Sequence, residues 1–132
     1  MKIHHVGYLV KDIMQSKACF ELLGYTQKAS VVYDQIRNID ILFMENDGTV
    51  VELIQSKGDS STVSNLIKKF GVAPYHICYE TDSLEYAIKE LRSQKFIVTS
   101  SPMQAPALEN RKVAFLYNKN MGIIELLEVN HE

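Results

Sequence analysis

Met121-Gly122-Ile123-Ile124-Glu125-Leu126-Leu127-Glu128 is the stretch whose reading decides the fold. It is short, apolar and opened by a glycine, which predicts a buried strand. One carboxylate, Glu125, stands in its middle. A lone ionised carboxylate in an apolar strand is costly unless a metal, an arginine or a proton compensates it. The same arrangement occurs earlier, at Thr49-Val50-Val51-Glu52-Leu53-Ile54. Two further segments each set a histidine among strand formers: Ile3-His4-His5-Val6-Gly7-Tyr8 and Tyr75-His76-Ile77-Cys78-Tyr79.

Around these four segments the chain divides into predicted elements. Residues 2–10 read as a strand. Asp12 with Gln15 three residues on predicts a capping box for a helix through about Leu23, stopped by Gly24. Strand-like runs follow at about 25–34, 37–45 and 49–55, and Asn46-Asp47-Gly48 predicts a hairpin between the last two. Ser56 to Ser61 reads as a connection. Val63, Leu66, Ile67 and Phe70 keep helical spacing, with Ser60 or Ser61 as the cap and Gly71 as the stop. A strand at 75–80 is followed by a helix whose stripe is Leu84, Ala87, Ile88 and Leu91, with Asp82 and Glu85 as its capping box. A short strand near Phe96–Thr99 leads into a loop from Ser100 to Asn110. Strands at about 112–117 and 122–128 follow.

The order strand, helix, three strands therefore occurs twice, in register. His5 and His76 each begin a His-(Val/Ile)-x-Tyr pattern. Ile13 and Leu84 each open a helix eight residues later, and Tyr25 and Phe96 each open a strand twenty residues later. Glu52 follows His5 by 47 residues, and Glu125 follows His76 by 49. This is the pattern of an internal duplication. Strand alternation puts His5 on a face with Gly7 and His76 on a face with Cys78, so small neighbours leave space beside both imidazoles. His4 points to the opposite face from His5. Tyr8 and Tyr79 occupy equivalent core positions.

Composition excludes several classes. The 132 residues carry 46% hydrophobic and 23% charged side chains, which suits one compact globular domain. The net charge of −2 gives no footprint for nucleic acid or an anionic membrane. No apolar run reaches the 18 residues of a membrane span. The opening residues enter a strand at once, without the apolar core of a signal peptide. Cys19 and Cys78 form no CxxC, so free thiols in a reducing cytoplasm are expected.

Paired strand-helix-three-strand modules with His, Glu, His, Glu in this order resemble the vicinal oxygen chelate superfamily, the group of glyoxalase I, methylmalonyl-CoA epimerase, extradiol dioxygenases and bleomycin-resistance proteins. The likeness runs over essentially the whole chain and comes nearest to methylmalonyl-CoA epimerases. It is carried by Ile3 to Tyr8, Val51 to Ile54, Ser61 to Val63, Tyr75 to Glu80, Arg111 to Lys119 and Gly122 to Glu128. Two departures fall near the implied substrate loop. Leu108-Glu109-Asn110 stands where the epimerases show a glycine pair, and Tyr117-Asn118-Lys119 stands where they show His-Pro-Lys.

The resemblance implies an α+β, glyoxalase-like fold, in which two paired βαβββ modules form a curved-sheet cleft. A single domain over 1–132 is expected, with module 1 at about 1–56, a connecting helix at about 60–71 and module 2 at about 74–130. It also implies that His5, Glu52, His76 and Glu125 ligate one divalent metal ion. Two imidazoles and two carboxylates suit Zn, Co, Ni or Mn. The implied activity is a metal-dependent epimerase or isomerase that removes a proton alpha to a carbonyl, on a small-molecule substrate such as an acyl thioester. The alternatives are a glyoxalase I-type lactoylglutathione lyase and a non-catalytic resistance or binding protein. A homodimer is implied as well. Glu125 and Glu52 are candidate proton acceptors that double as ligands. Asp40, an acid in the strand Asn38 to Phe43, is a further candidate base if its face, shared with Leu42, is the cleft face. His131 is set aside as terminal.

Overall fold

The computed structural model describes residues 1–129; His131 lies outside them. The chain divides into two compact units. One is His5–Tyr75, and the other is His76 onward together with Met1–His4. Each carries a βαβββ pattern, so the chain is α+β.

In the first unit, β1 (Lys2–Val10), β4 (Ile39–Asn46) and β5 (Thr49–Ser56) are the long strands, and β2 (Thr26–Gln27) and β3 (Val32–Asp34) are short. The order is β2-β4-β5-β1, with β3 also on β4. β1 and β5 run parallel, pairing Gly7 with Glu52. β4 and β5 are antiparallel, pairing Phe43 with Glu52. The expected hairpin joins them, and Asp47 and Gly48 both take positive φ, as its tight turn requires. Helix α1 (Ile13–Leu22) starts at the expected cap, where Asp12 Oδ1 accepts from the Gln15 amide at 3.0 Å. It covers Val10, Leu42, Met44, Val51 and Leu53, and Tyr8, Phe20 and Tyr25 pack against that core.

The expected strand at 25–34 is broken into β2 and β3. Both pair antiparallel with β4 in the same direction, with a register slip between them, where Gln27 Nε2 donates to the Ala29 carbonyl at 2.8 Å. Helix α2 (Ser64–Phe70) has Val63 at its N-cap and no side-chain cap. The expected capping residue Ser61 instead closes a local turn, its Oγ accepting from the Val63 amide at 3.2 Å.

In the second unit, β6 (Ala73–Thr81), β9 (Gly122–Glu128), β8 (Arg111–Asn118) and β7 (Ile97–Ala105) are neighbours in that order. β6 runs parallel to β9 and pairs Cys78 with Glu125. β8 and β9 are antiparallel and pair Phe115 with Glu125. Helix α3 (Leu84–Ser93) packs Leu84, Ala87, Ile88 and Leu91 against Ala114, Leu116, Ile124 and Leu126. Its cap is Ser83 rather than Asp82, the Ser83 Oγ accepting from the Tyr86 amide at 3.2 Å.

The largest departure from expectation is β7, which runs on through Ala105 where Pro102 predicted a loop. An edge strand tolerates proline because one side of its backbone has no partner to lose. Register shifts between Val98 and Ser100 and between Ser100 and Met103 absorb the misfit. Among the described residues no helix is long and apolar enough to cross a membrane.

Candidate metal centre

The two units build the same local object. In the first, His5 on β1 and Glu52 on β5 are 1% and 5% exposed, and His5 Nε2 lies 3.3 Å from Glu52 Oε1. In the second, His76 on β6 and Glu125 on β9 are each 4% exposed, and His76 Nε2 lies 3.1 Å from Glu125 Oε1. The pairing follows from register. In each unit a parallel strand pair sets the small residue two positions after the histidine, Gly7 or Cys78, beside the glutamate. Alternation then returns the imidazole to the glutamate's face of the sheet.

An aromatic ring completes each pair. Phe43 meets the His5 ring edge-on, with centroids 5.4 Å apart, and Phe115 meets His76 at 5.3 Å. Each phenylalanine stands directly across the antiparallel ladder from its glutamate. Sequence reasoning did not single these out, although Phe43 and Phe115 precede Glu52 and Glu125 by nearly the same number of residues. They shield the imidazoles from water and lower the local dielectric, which strengthens any charge interaction made there.

Buried carboxylates need an answer. The donor set fits a divalent cation. Two donors about 2.1 Å from an ion lie about 3.0 Å apart at right angles and about 3.4 Å apart at the tetrahedral angle. The observed separations of 3.3 and 3.1 Å fall within that range. Imidazole nitrogen with carboxylate oxygen is the donor chemistry of Zn, Co, Ni or Mn.

Asp40 stands elsewhere. It shares its side of β4 with Leu42 and Met44, which pack under α1, while Phe43 marks the His5–Glu52 side. Its cross-strand partner Gln55 points to the helix as well, its Oε1 accepting from the Ile13 amide at 2.9 Å. Asp40 Oδ2 makes an ion pair with Lys57 Nζ at 3.2 Å. Alternation gave its face-mates correctly, but that face belongs to the helix. The structure therefore gives it no approach to the His5–Glu52 pair. His4, an even-numbered position on β1 like Val6 and Tyr8, also turns toward the helix side.

One buried pair on the site's side of the sheet escaped the sequence reading. Asp34 is 1% exposed and holds Arg37 through Oδ2 to Nη1 at 2.7 Å. Asp34 pairs with Ile39, four residues along β4 from Phe43 and on its face. The signal available was the Asp-x-x-Arg spacing. The pair closes the β3–β4 turn, since Asp34 Oδ1 also accepts from the Arg37 amide at 3.0 Å.

Comparison with known proteins adds the wider setting. The family model described as the glyoxalase/bleomycin resistance protein/dioxygenase superfamily matches residues 4–115. The mitochondrial methylmalonyl-CoA epimerase of Dictyostelium discoideum is 25% identical over 131 residues, covering 96% of this chain and 77% of that protein. The crystal structure of methylmalonyl-CoA epimerase from Mycobacterium tuberculosis superposes with a TM-score of 0.84 at 20% identity, covering 98% of this chain and 88% of that one. A methylmalonyl-CoA epimerase in complex with methylmalonyl-CoA and NH4+ superposes with a TM-score of 0.83 at 16% identity, covering 96% and 93%. These structural likenesses show the glyoxalase-like fold that the resemblance implied.

Proposed function

The chain belongs to the glyoxalase/bleomycin resistance protein/dioxygenase superfamily, and from that premise we propose that it is a metal-dependent epimerase acting alpha to the carbonyl of an acyl thioester, with methylmalonyl-CoA as the model substrate. The observation that carries the reading is the pair of buried His–Glu contacts, built alike in the two halves of the chain. In this reading His5, Glu52, His76 and Glu125 together hold one ion of Zn, Co, Ni or Mn. When bound, such an ion polarises the thioester carbonyl and favours the enolate.

The chain's own residues supply the rest. The imidazoles of His5 and His76 are held by packing against Phe43 and Phe115, which keeps the donor nitrogens in place. Glu52 and Glu125 are the acids on the histidine faces, and one of them takes the alpha proton onto a carboxylate oxygen. Return of a proton on the opposite face of the planar carbon inverts the centre. The relatives named as methylmalonyl-CoA epimerases support this substrate class. We further propose a homodimer, and a reducing cytoplasm as the compartment, in keeping with Cys19 and Cys78 forming no disulfide.

The test is solvent exchange. The metal-loaded protein in deuterium oxide with one epimer of methylmalonyl-CoA is expected to place deuterium at the alpha carbon and yield both epimers. Turnover of a glutathione hemithioacetal with no exchange into methylmalonyl-CoA would transfer the assignment to the glyoxalase I-type lyase.

A further inference from the structure

Arg111 opens β8 on the side of the sheet that carries the second His–Glu pair. It stands four residues before Phe115, so alternation returns it to the Phe115 side, where Phe115 meets His76 and pairs with Glu125 across the ladder. Its burial is partial, and its Nε donates to the Leu108 carbonyl at 3.4 Å. That bond holds the guanidinium at the β7–β8 turn, which Glu109 and Asn110 close with two successive positive φ angles of 59°. The first unit sets Ile39 at the equivalent place, four residues before Phe43. Across the ladder from Ile39 stands Asp34, and its carboxylate answers Arg37 at 2.7 Å. Across from Arg111 stands Ala105, which has no acid to offer. Among the described residues no carboxylate makes an ion pair with Arg111, that of nearby Glu109 included. A half-buried guanidinium is partly stripped of water, and an anion is its ordinary answer.

We propose that Arg111 receives a phosphate oxyanion on the carrier of the acyl thioester, while the reacting carbonyl lies at the His–Glu pairs. Position decides which anion it is. Four residues of strand put Arg111 roughly 13 Å along β8 from Phe115. A carboxylate on the carbon that epimerises is two bonds from the thioester carbonyl, so it stays beside that carbonyl. The anion that reaches the β7–β8 turn is a remote one, and in a phosphopantetheine-type thioester the remote anions are phosphates. The planar fork of the guanidinium matches two phosphate oxygens at once, which a lysine ammonium does not. Arg111 touches no reacting atom; it binds and orients the carrier. Its contact is the same in the ground state and the transition state, so it acts on KM and leaves kcat.

The inference rests on the epimerase reading above and names how that site holds its substrate. Initial rates of deuterium exchange test it with two substrates, methylmalonyl-CoA and methylmalonyl-pantetheine, which lacks every phosphate. Arg111→Gln is expected to raise KM for methylmalonyl-CoA about tenfold at unchanged kcat and to leave the pantetheine thioester unaffected. Arg111→Lys, which keeps the charge and loses the fork, is expected to fall between parent and Arg111→Gln. An equal rise in KM on both substrates would assign Arg111 to the acyl group and overturn the carrier contact. Unchanged kinetics on both would leave Arg111 a solvated side chain and overturn it too. If the parent exchanges into neither thioester, the epimerase reading fails by itself, and calorimetry with coenzyme A decides on Arg111. Binding that weakens about tenfold in Arg111→Gln keeps the phosphate contact. Binding that is equal in both, or absent from the parent, overturns it.

Discussion

His5, Glu52 and Phe43 in one unit stand as His76, Glu125 and Phe115 stand in the other, whereas the helices behind them differ in what their outer faces show to solvent. The imidazole–carboxylate distances agree to within a few tenths of an ångström. Even the helix starts are tied alike. Three residues beyond each glutamate, Gln55 accepts from the Ile13 amide at 2.9 Å and Glu128 accepts from the Leu84 amide at 3.1 Å. Yet α3 shows water mainly charged side chains, and α1 shows it Met14 and Leu22. A buried ionisable pair tolerates few arrangements, because every donor and acceptor must be answered. A helix exterior answers only to solvent or to a partner, so the halves are free to differ there.

The sharpest way to break the likeness is at the glutamates. Glu52→Gln and Glu125→Gln each replace an acid by an amide of the same shape. Whichever carboxylate accepts the alpha proton is expected to cost roughly 10²–10⁴-fold in deuterium exchange when replaced. Metal content is measured alongside, and the variant that keeps its metal while losing exchange assigns the base. Equal, small losses would remove both from that role.

Next in size are the aromatic walls. Phe43 is 8% exposed, and Phe43→Ala is expected to cost about 3 kcal/mol in urea unfolding. Phe115 is less fully covered, and Phe115→Ala is expected to cost less. The helix ties come third. Gln55→Ala is expected to cost about 1 kcal/mol, as a lost helix cap does. Glu128→Ala is expected to cost at least as much, and its excess should shrink with salt, because a charge near the helix N-terminus is screened. The smallest effect belongs to Asp40→Asn. It removes an ion pair with a half-exposed lysine, so stability should change by less than about 1 kcal/mol and exchange should continue at the parent rate.

Much of this architecture was legible in the chain. The apolar strands carrying single acids, the Asn-Asp-Gly turn and the equal spacing of the two halves gave the βαβββ pattern before any coordinates. Local geometry decided what the pattern left open. Alternation grouped Asp40 with Leu42 but is silent on which face of a strand meets a helix, and the packing of Leu42 and Met44 under α1 settled that. Pro102 argued for a loop because proline cannot join a ladder on both sides; β7 is an edge strand and needs only one. Ser83 took the cap expected of Asp82, since either residue can cap and only backbone direction chooses. Phe43 and Phe115 read as ordinary core residues until the register set them against the histidines.

The proposed function has the two His–Glu pairs hold one ion, and metal content per chain tests that proposal most directly. After dialysis, the parent is expected to retain one divalent ion per chain. His5→Ala and His76→Ala are each expected to lose it, while His4→Ala retains it. Two ions in the parent, with each of the first two variants keeping one, would mean that each unit holds its own metal and would contradict the shared site.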